Sequence, residues 1–455
     1  MMRMSQLAQV LDGRLQGGDA EFCAVSTDSR AIQPGDLFVA LHGENFDGSQ
    51  FVGVAAQGGA VAALVNSDRA TKFDNEAGIP VLLVEDTRLA LGKLAAYWRT
   101  QFTIPVVGVT GSNGKTTVKE MLASILREAA GSADAVLATQ GNLNNDIGMP
   151  LTLLKLRSTH RYAVIEMGMN HAGEIDYLTR LARPDVVLIN NAASAHLAGL
   201  GSLEGVARAK GEIFAGLCTG GVAVINGDDP HAPLWRELAR PHHVMEFGLD
   251  HQPDVRAQWH ARNFGAHMSV RTPQGDFTAD LQVPGAHNVR NALAATAAAC
   301  ALQVPLAAIR GGLERFGGVA GRLQRKTALH GATLIDDTYN ANPASLRAAL
   351  KVLIQAKGKK LLVLGDMGEL GADAAQLHAE IGSEARSLGV DKLFALGDLS
   401  NYAVEEFGNG ARHFERIEDL YAALEQELNE NSTVLVKGSR FMKMERVVRH
   451  CTSLQ

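Results

Sequence analysis

The sequence predicts an α/β protein of three domains: a small N-terminal α/β domain (1–84), a central domain with a mostly parallel sheet (85–313), and a C-terminal Rossmann-like domain (314–455). Three observations predict it. The chain has 455 residues, too many for one hydrophobic core. Short apolar runs alternate with amphipathic stretches, the pattern of parallel strands with crossover helices. Aromatic residues make up only 5% of the chain, while there are 47 glycines. That composition suits close helix–sheet packing better than an aromatic-rich binding surface.

In the first unit, Leu7, Val10 and Leu11 give a short helical face. Asp36–Leu41, Ala60–Val65 and Pro80–Val84 read as strands. Two polar clusters lie between these elements, Ser26-Thr-Asp-Ser-Arg30 and Gly43-Glu-Asn-Phe-Asp-Gly-Ser49. Both suit turns. Equally, donors and an arginine on loops suit a phosphorylated ligand. Asp86 to Trp98 reads as a helix leading into the second unit.

The central unit has strand candidates at Val106–Val109, Ala135–Ala138, Tyr162–Glu166, Asp185–Asn190 and Val222–Asn226. A weaker β stretch, Val244–Pro284, precedes an Ala-rich helix, Asn288–Ala301. In the third unit the strands are Thr333–Asp336, Lys360–Leu364, Lys392–Leu396 and Thr433–Val436. Helices at Ala344–Gln355, Ala374–Leu388 and Ile417–Leu428 separate them, as in a doubly wound fold.

The chemistry centres on Thr110-Gly-Ser-Asn-Gly-Lys-Thr-Thr117. An apolar strand enters it and an amphipathic helix leaves it, with Val118, Met121, Leu122, Ile125 and Leu126 on one face. This is the grammar of a phosphate-binding loop. Gly111, Ser112, Asn113 and Gly114 offer backbone N–H groups, and the helix start adds partial positive charge. Lys115 would reach the terminal phosphates, and Thr116, followed by Thr117, would face Mg²⁺. The usual early glycine of G-x-x-x-x-G-K-[ST] falls on Val109, so the loop is a variant.

Glu166 closes a buried strand at its carboxyl end, where open α/β sheets bind ligands and where a carboxylate can hold Mg²⁺. His196 follows the next strand; it is either a solvated loop residue or a metal or proton-transfer group. Lys210 lies on a helix, and by spacing alone it reads as a surface lysine. Asn142, Asn144 and Asn145 sit in a glycine-flanked loop that suits either a sugar or phosphate contact or a plain turn. Asn288 opens the Ala-rich helix and reads first as its N-cap. Gly321-Arg322, Asp336–Asn342 and Lys437-Gly-Ser-Arg440 are polar loops of the third unit.

The net charge of −6 and the absence of a basic block argue against a nucleic-acid partner. The four cysteines are far apart, so neither a zinc cage nor a disulfide framework is expected. No run approaches the length of a membrane helix and the N-terminus lacks a signal-peptide core, so a cytoplasmic protein is expected.

Taken together, these motifs resemble those of the Mur ligases of peptidoglycan synthesis, over nearly the whole chain. The T-G-S-N-G-K-T-T loop, Gly141–Asn145, Glu166–Asn170, Ala209–Glu212, Asp336–Pro343 and Leu364–Leu370 carry the resemblance. It implies a UDP-sugar domain, a central P-loop ATPase domain and a mobile C-terminal domain. It implies ATP and two Mg²⁺ ions as cofactors. The implied partners are a UDP-N-acetylmuramoyl-tripeptide and D-alanyl-D-alanine, joined through an acyl phosphate by a monomer.

By position, the resemblance makes Lys115, Glu166, His196 and Lys210 catalytic, with Thr116, Glu166, His196 and Lys210 as metal ligands and Lys210 carbamylated. Asn288 and Asn291 match an adenine-side motif, and Arg322 and Asp337 complete the ATP site. Asp28, Ser29, Arg30, Asn45, Asp47 and Gly48 fall where the UDP-sugar is held, and Asn142, Asn144 and Asn145 are also assigned to substrate. Ser49 stands where the resemblance leads one to expect His. The competing readings are a related amide ligase, a nucleotide switch without ligation, and an oxidoreductase. The last is disfavoured because no G-x-G-x-x-G opens either large unit.

Overall fold

The computed structural model describes residues 1–43, 46–69, 78–193, 200–250, 252–262 and 264–452. Three main sheets follow one another along the chain. The first has five strands, in the order Arg14–Gln16, Val81–Val84, Ala62–Asn66, Asp36–Val39, Ala24–Ser26. All of its pairs are parallel except the first.

The central sheet has nine strands. Val106–Thr110 lies between Tyr162–Glu166 and Val186–Ile189 and is parallel to both, with Val107 opposite Val164 and Val186. Val136–Ala138 adds beyond Tyr162–Glu166. Val222–Asn226, His243–Gly248 and Val255–Arg262 continue the parallel run on the other side. Two antiparallel strands, Gly265–Thr272 and Gly275–Leu281, finish it. The β stretch after Val244 is therefore part of this sheet. Both faces of Val106–Thr110, Tyr162–Glu166, Val186–Ile189 and Val222–Asn226 are covered, which is why these strands are mostly apolar. Val107, Val109 and Val164 pack into one cluster and Val106, Ile165 and Ile189 into another.

The helix Lys115–Ala130 lies on the first of these faces. Its predicted apolar positions, Val118, Met121, Leu122, Ile125 and Leu126, are all buried. Helix Thr87–Arg99 starts on Asp86, whose carboxylate accepts from the amides of Arg88 and Leu89 at 2.7 and 3.0 Å. Such a cap contributes about 1 kcal/mol. At the far end of this helix the buried Arg99 guanidinium donates to the carbonyls of Ala182 and Phe102. One apolar cluster joins Leu7, Leu37 and Leu64 of the first unit, Leu91 and Leu94 of this helix, and Val106 and Ile165 of the central sheet.

The third sheet runs Gln324–Thr327, Thr333–Asp337, Ser432–Lys437, Lys359–Gly365, Lys392–Leu396, Ala411–Phe414, parallel except at the first pair. Its two core clusters draw their buried members from the third unit. Helix Ala286–Ala301 is capped by Gly285, so Asn288 lies inside the first turn and is not the N-cap. Among the described residues, no helix is long and apolar enough to cross a membrane.

Candidate active site

The strand order places the carboxyl ends of Val106–Thr110, Tyr162–Glu166, Val186–Ile189 and Val222–Asn226 at one edge. A cavity of about 790 Å³ opens there, roofed by the third unit. That volume is in the range of small-molecule sites.

Gly114 begins the phosphate-loop helix with φ 80°. A Cβ there would come within 2.5 Å of both Asn190 Nδ2 and Asn291 Oδ1, so only glycine fits. The loop is clamped from the next strand end. Asn191 Oδ1 accepts from the Asn113 amide at 2.8 Å, and the Asn113 carbonyl accepts from Asn190 and Asn191. The Ser112 amide donates to the Asn191 carbonyl. Asn190 also donates to Asn291 Oδ1, and Asn226 to the Asn190 carbonyl. Within this frame Lys115 Nζ folds back onto the carbonyls of Gly111 (2.7 Å) and Ser112 (3.3 Å). Burial lowers its pKa; the charge of Glu166 opposes this and Arg322 adds to it.

Glu166 is 2% exposed. Its Oε1 accepts from Asn144 Nδ2 at 2.8 Å, while the buried Oε2 has no hydrogen-bond partner among the described residues. A buried carboxylate oxygen left open toward a phosphate-binding loop fits a cation. Lys210 is also buried, 2% exposed. Burial, and then the charge of Lys115, drive its pKa well below that of an ordinary lysine. His196 lies outside the described residues, as does Asn45.

The third unit reaches in from above. Arg322 Nη2 donates to Thr116 Oγ1 at 3.0 Å, its buried Nε has no hydrogen-bond partner among the described residues, and its guanidinium stacks 4.2 Å from the Tyr339 ring centre. Asn342 Nδ2 donates to Asn113 Oδ1 at 2.8 Å. Asp337 accepts from the Leu323 amide and from the buried Lys437 ammonium. Asn288 donates to the Pro284 carbonyl and accepts from Asn291. Beside it, His287 is pushed down to about 4 by burial; the charge of Asp337 opposes this, and Lys437 and Arg290 add to it.

Ser112 to Thr117, Asn144, Glu166, Asn288, Asn291, Arg322 and Asp337 thus line one cavity. Asn142, Asn145 and Lys210 are not in its wall. Asn145 caps its own turn, accepting from the Gly148 amide at 2.8 Å.

The first-unit residues form a separate group. Arg30 grips Asp28 with Nε and Nη2, both at 2.8 Å, and holds its carboxyl down at about 2; Ser29 lies between them in the turn. Asp47 accepts from the Ser49 amide and hydroxyl at 3.0 and 2.7 Å, with Arg69 3.5 Å away. Gly48 has no room for a Cβ, which would lie 2.5 Å from the Leu41 carbonyl. Ser49 is thus buried, and Asp47 caps the turn that holds it. His42 is the residue opposite Asp47 in the hairpin, and its Nε2 lies 3.3 Å from Arg69.

Sequence reasoning passed over Asn190, Asn191 and Asn226 as site residues. The available signal was the repeat of an apolar run ending in a polar residue, at Glu166, Asn190 and Asn226. Lys119 was passed over too. As the fourth residue of an amphipathic helix after Lys115, it carried no sequence signal.

Comparisons with known proteins agree with this geometry. Residues 21–99 match the Mur ligase family catalytic domain, 109–299 the Mur ligase middle domain, and 321–440 the Mur ligase glutamate ligase domain. The UDP-N-acetylmuramoyl-tripeptide–D-alanyl-D-alanine ligase of Escherichia coli (strain K12) is 43% identical over 450 residues, covering 98% of this chain and 97% of that protein. A crystal structure of MurF from Acinetobacter baumannii superposes with a TM-score of 0.90 at 40% identity, covering 98% and 97%. MurF from Thermotoga maritima in complex with ADP gives 0.81 at 28% identity, covering 94% and 96%. Over 98% of its length, in sequence and in fold, the chain belongs to the Mur ligase family.

Proposed function

We propose that the protein is an ATP-dependent amide ligase. It joins D-alanyl-D-alanine to the terminal carboxylate of UDP-N-acetylmuramoyl-tripeptide, giving the UDP-pentapeptide, ADP and phosphate in peptidoglycan synthesis. The observation that carries the reading is the meeting of three parts at one cavity. Thr116 of the phosphate loop is bonded to Arg322 of the third unit, and the unpartnered oxygen of Glu166 lies in the same wall. Similarity over 98% of the chain to proteins named for this reaction supports the choice of substrates, and the ADP complex of a relative supports ATP.

The chemistry follows from the residues. The tripeptide carboxylate oxygen attacks the γ-phosphorus, and the bond to the bridging oxygen of ADP breaks, leaving an acyl phosphate. The loop amides and Lys115 bind the phosphates, with Lys115 turning from its own loop carbonyls to do so. Arg322 adds a second cation from the opposite side. The free amine of the dipeptide then attacks the acyl carbon, the C–O bond breaks, phosphate leaves, and the nitrogen gives up a proton. Water must be excluded meanwhile, and the third unit roofs the cavity.

Thr116, Glu166, His196 and Lys210 would hold two Mg²⁺ ions, which when bound neutralise charge on the transferring phosphoryl group. Burial and the charge of Lys115 make the Lys210 ammonium give up its proton more readily than an ordinary lysine, and the neutral amine is the form that reacts with carbon dioxide, which supports a carbamate there. Asn288, Asn291, Arg322 and Asp337 are read as nucleotide contacts. Asp28, Ser29, Arg30, Asn45, Asp47 and Gly48, with Asn142, Asn144 and Asn145, are read as substrate contacts. Residues 1–84, 85–313 and 314–455 are assigned as the UDP-sugar, ATP-binding and closing domains of a cytoplasmic monomer that neither inserts into a membrane nor binds nucleic acid.

The test is ADP release from Mg-ATP and UDP-muramoyl-tripeptide, with and without D-Ala-D-Ala. Dipeptide-dependent release with a UDP-pentapeptide by mass is expected. Release that ignores the dipeptide would refute the acceptor assignment.

A further inference from the structure

Lys119 follows Lys115 by one helical turn on the same face. Its side chain is 1% exposed. An ammonium taken out of water needs strong compensation. Here Nζ donates to the Thr139 carbonyl and lies 2.7 Å from Glu120 Oε1.

Thr139 is fully buried at the end of strand Val136–Ala138. Its hydroxyl accepts from the backbone N–H of Glu166 at 2.9 Å, and its own amide donates to the Val164 carbonyl. Five residues on, Asn144 holds Glu166 Oε1 through its side chain and accepts from the Gly168 amide with its carbonyl. Glu166 is therefore gripped twice by one segment, at its backbone by Thr139 and at its carboxylate by Asn144. Lys119 pins the start of that segment to the phosphate-loop helix.

We propose that Lys119 is a positioning residue. Through Thr139 it fixes the Glu166 carboxylate relative to the phosphate loop, and so sets divalent-cation affinity without touching nucleotide or metal. The proposal rests on reading Glu166 as a metal ligand. It explains why a charge is buried where a leucine would pack more cheaply: an apolar side chain could fill the space but could not hold a carbonyl.

The test is titration of Mn²⁺ into the protein–ADP complex, read by electron paramagnetic resonance, with metal-free ADP affinity and thermal midpoint measured alongside. Lys119→Met keeps the stem and removes the donor. Thr139→Val keeps the volume and removes the hydroxyl, and Thr139→Ser restores it. Lys119→Met and Thr139→Val are each expected to weaken Mn²⁺ binding by about tenfold, as loss of outer partners of metal ligands does. Metal-free ADP affinity should stay put, Thr139→Ser should bind as the parent does, and the double variant should lose little more than either single one.

A folded Lys119→Met that binds Mn²⁺ within twofold of the parent overturns the proposal. Should that variant fail to fold, unchanged binding in Thr139→Val does the same. Glu166→Gln separates the two levels. If it binds Mn²⁺ normally, the reading of Glu166 as a ligand is what has failed. If it loses Mn²⁺ while Lys119→Met does not, only the positioning role has failed.

Discussion

Asn342 and Asn113, 229 residues apart in sequence, share a side-chain hydrogen bond of 2.8 Å. It ties the third unit to the phosphate loop. Asn342 is also the N-cap of helix Pro343–Leu353, its Oδ1 accepting from Ser345. One side chain therefore starts a helix and reports the position of the loop. Asn342→Ser keeps a good cap but is too short to reach Asn113. The loss of one neutral hydrogen bond, about 1 kcal/mol, should shift the closed-to-open balance of the third unit about fivefold at little change in thermal midpoint. Interdomain energy transfer between dyes on the central and third units reads this. Asn113→Ala should match it, and the double variant should add nothing.

Lys210 supports a rescue experiment. Lys210→Ala is expected to abolish ligation, and added formate or acetate to restore part of it, since a small carboxylate can stand in for a carbamate. Turnover measured over a formate titration checks this. A flat titration would count against the carbamate.

Two glycines at the ends of one helix make a matched pair. Gly114 has φ 80° and no space for a Cβ; Gly131 has φ 68° and nothing within 4 Å. Alanine at either position carries backbone strain of about 1 kcal/mol or more. Only Gly114→Ala also pushes on Asn190 and Asn291. Calorimetry should show ADP binding at least tenfold weaker in Gly114→Ala and unchanged in Gly131→Ala, with both proteins less heat-stable.

His287 makes stability depend on pH. Its folded pKa is about 4, below the model-peptide 6.5. The unfolded chain therefore takes up the proton first as pH falls, so acid favours unfolding. Stability attributable to this site is complete above about 6.5 and is lost as pH falls toward 4. In urea melts across that window, His287→Gln should show a shallower pH slope than the parent.

The fold was largely legible because the buried strands are uninterrupted apolar runs. Tyr162–Glu166, Val222–Asn226 and Lys392–Leu396 agree with expectation at both ends. Helix Leu306–Arg315 was not, because Gly311-Gly312 reads as a break. In the fold Gly312 lies against the Ile125 backbone, where a Cβ would be 2.3 Å from Cα; the glycine brings two helices together rather than ending one. At the site, the glycine loop and Glu166 were legible from their place after strands. The asparagine clamp was not: Asn291 was singled out only through the resemblance, and Asn190 and Asn191 acquire meaning only when separate strand and helix ends converge on Gly114. Lys119 was hidden for the opposite reason: its charge sits where a core residue would, on an otherwise ordinary helix.

The apolar cluster that runs unbroken from Leu7 and Leu37 through Leu91 to Val106 and Ile165 has a consequence for substrate choice. It packs the unit that carries the Asp28–Arg30 and Asp47 loops against the unit that carries the phosphate loop, so the loops are two marks on one gauge. If, as proposed above, the sugar nucleotide is anchored at one mark and the γ-phosphate at the other, the peptide must span a set interval for its carboxylate to arrive. Chain length is then measured as a distance. A UDP-muramoyl-dipeptide should bind in the first unit yet stall short of phosphoryl transfer, visible as normal affinity with no ADP released.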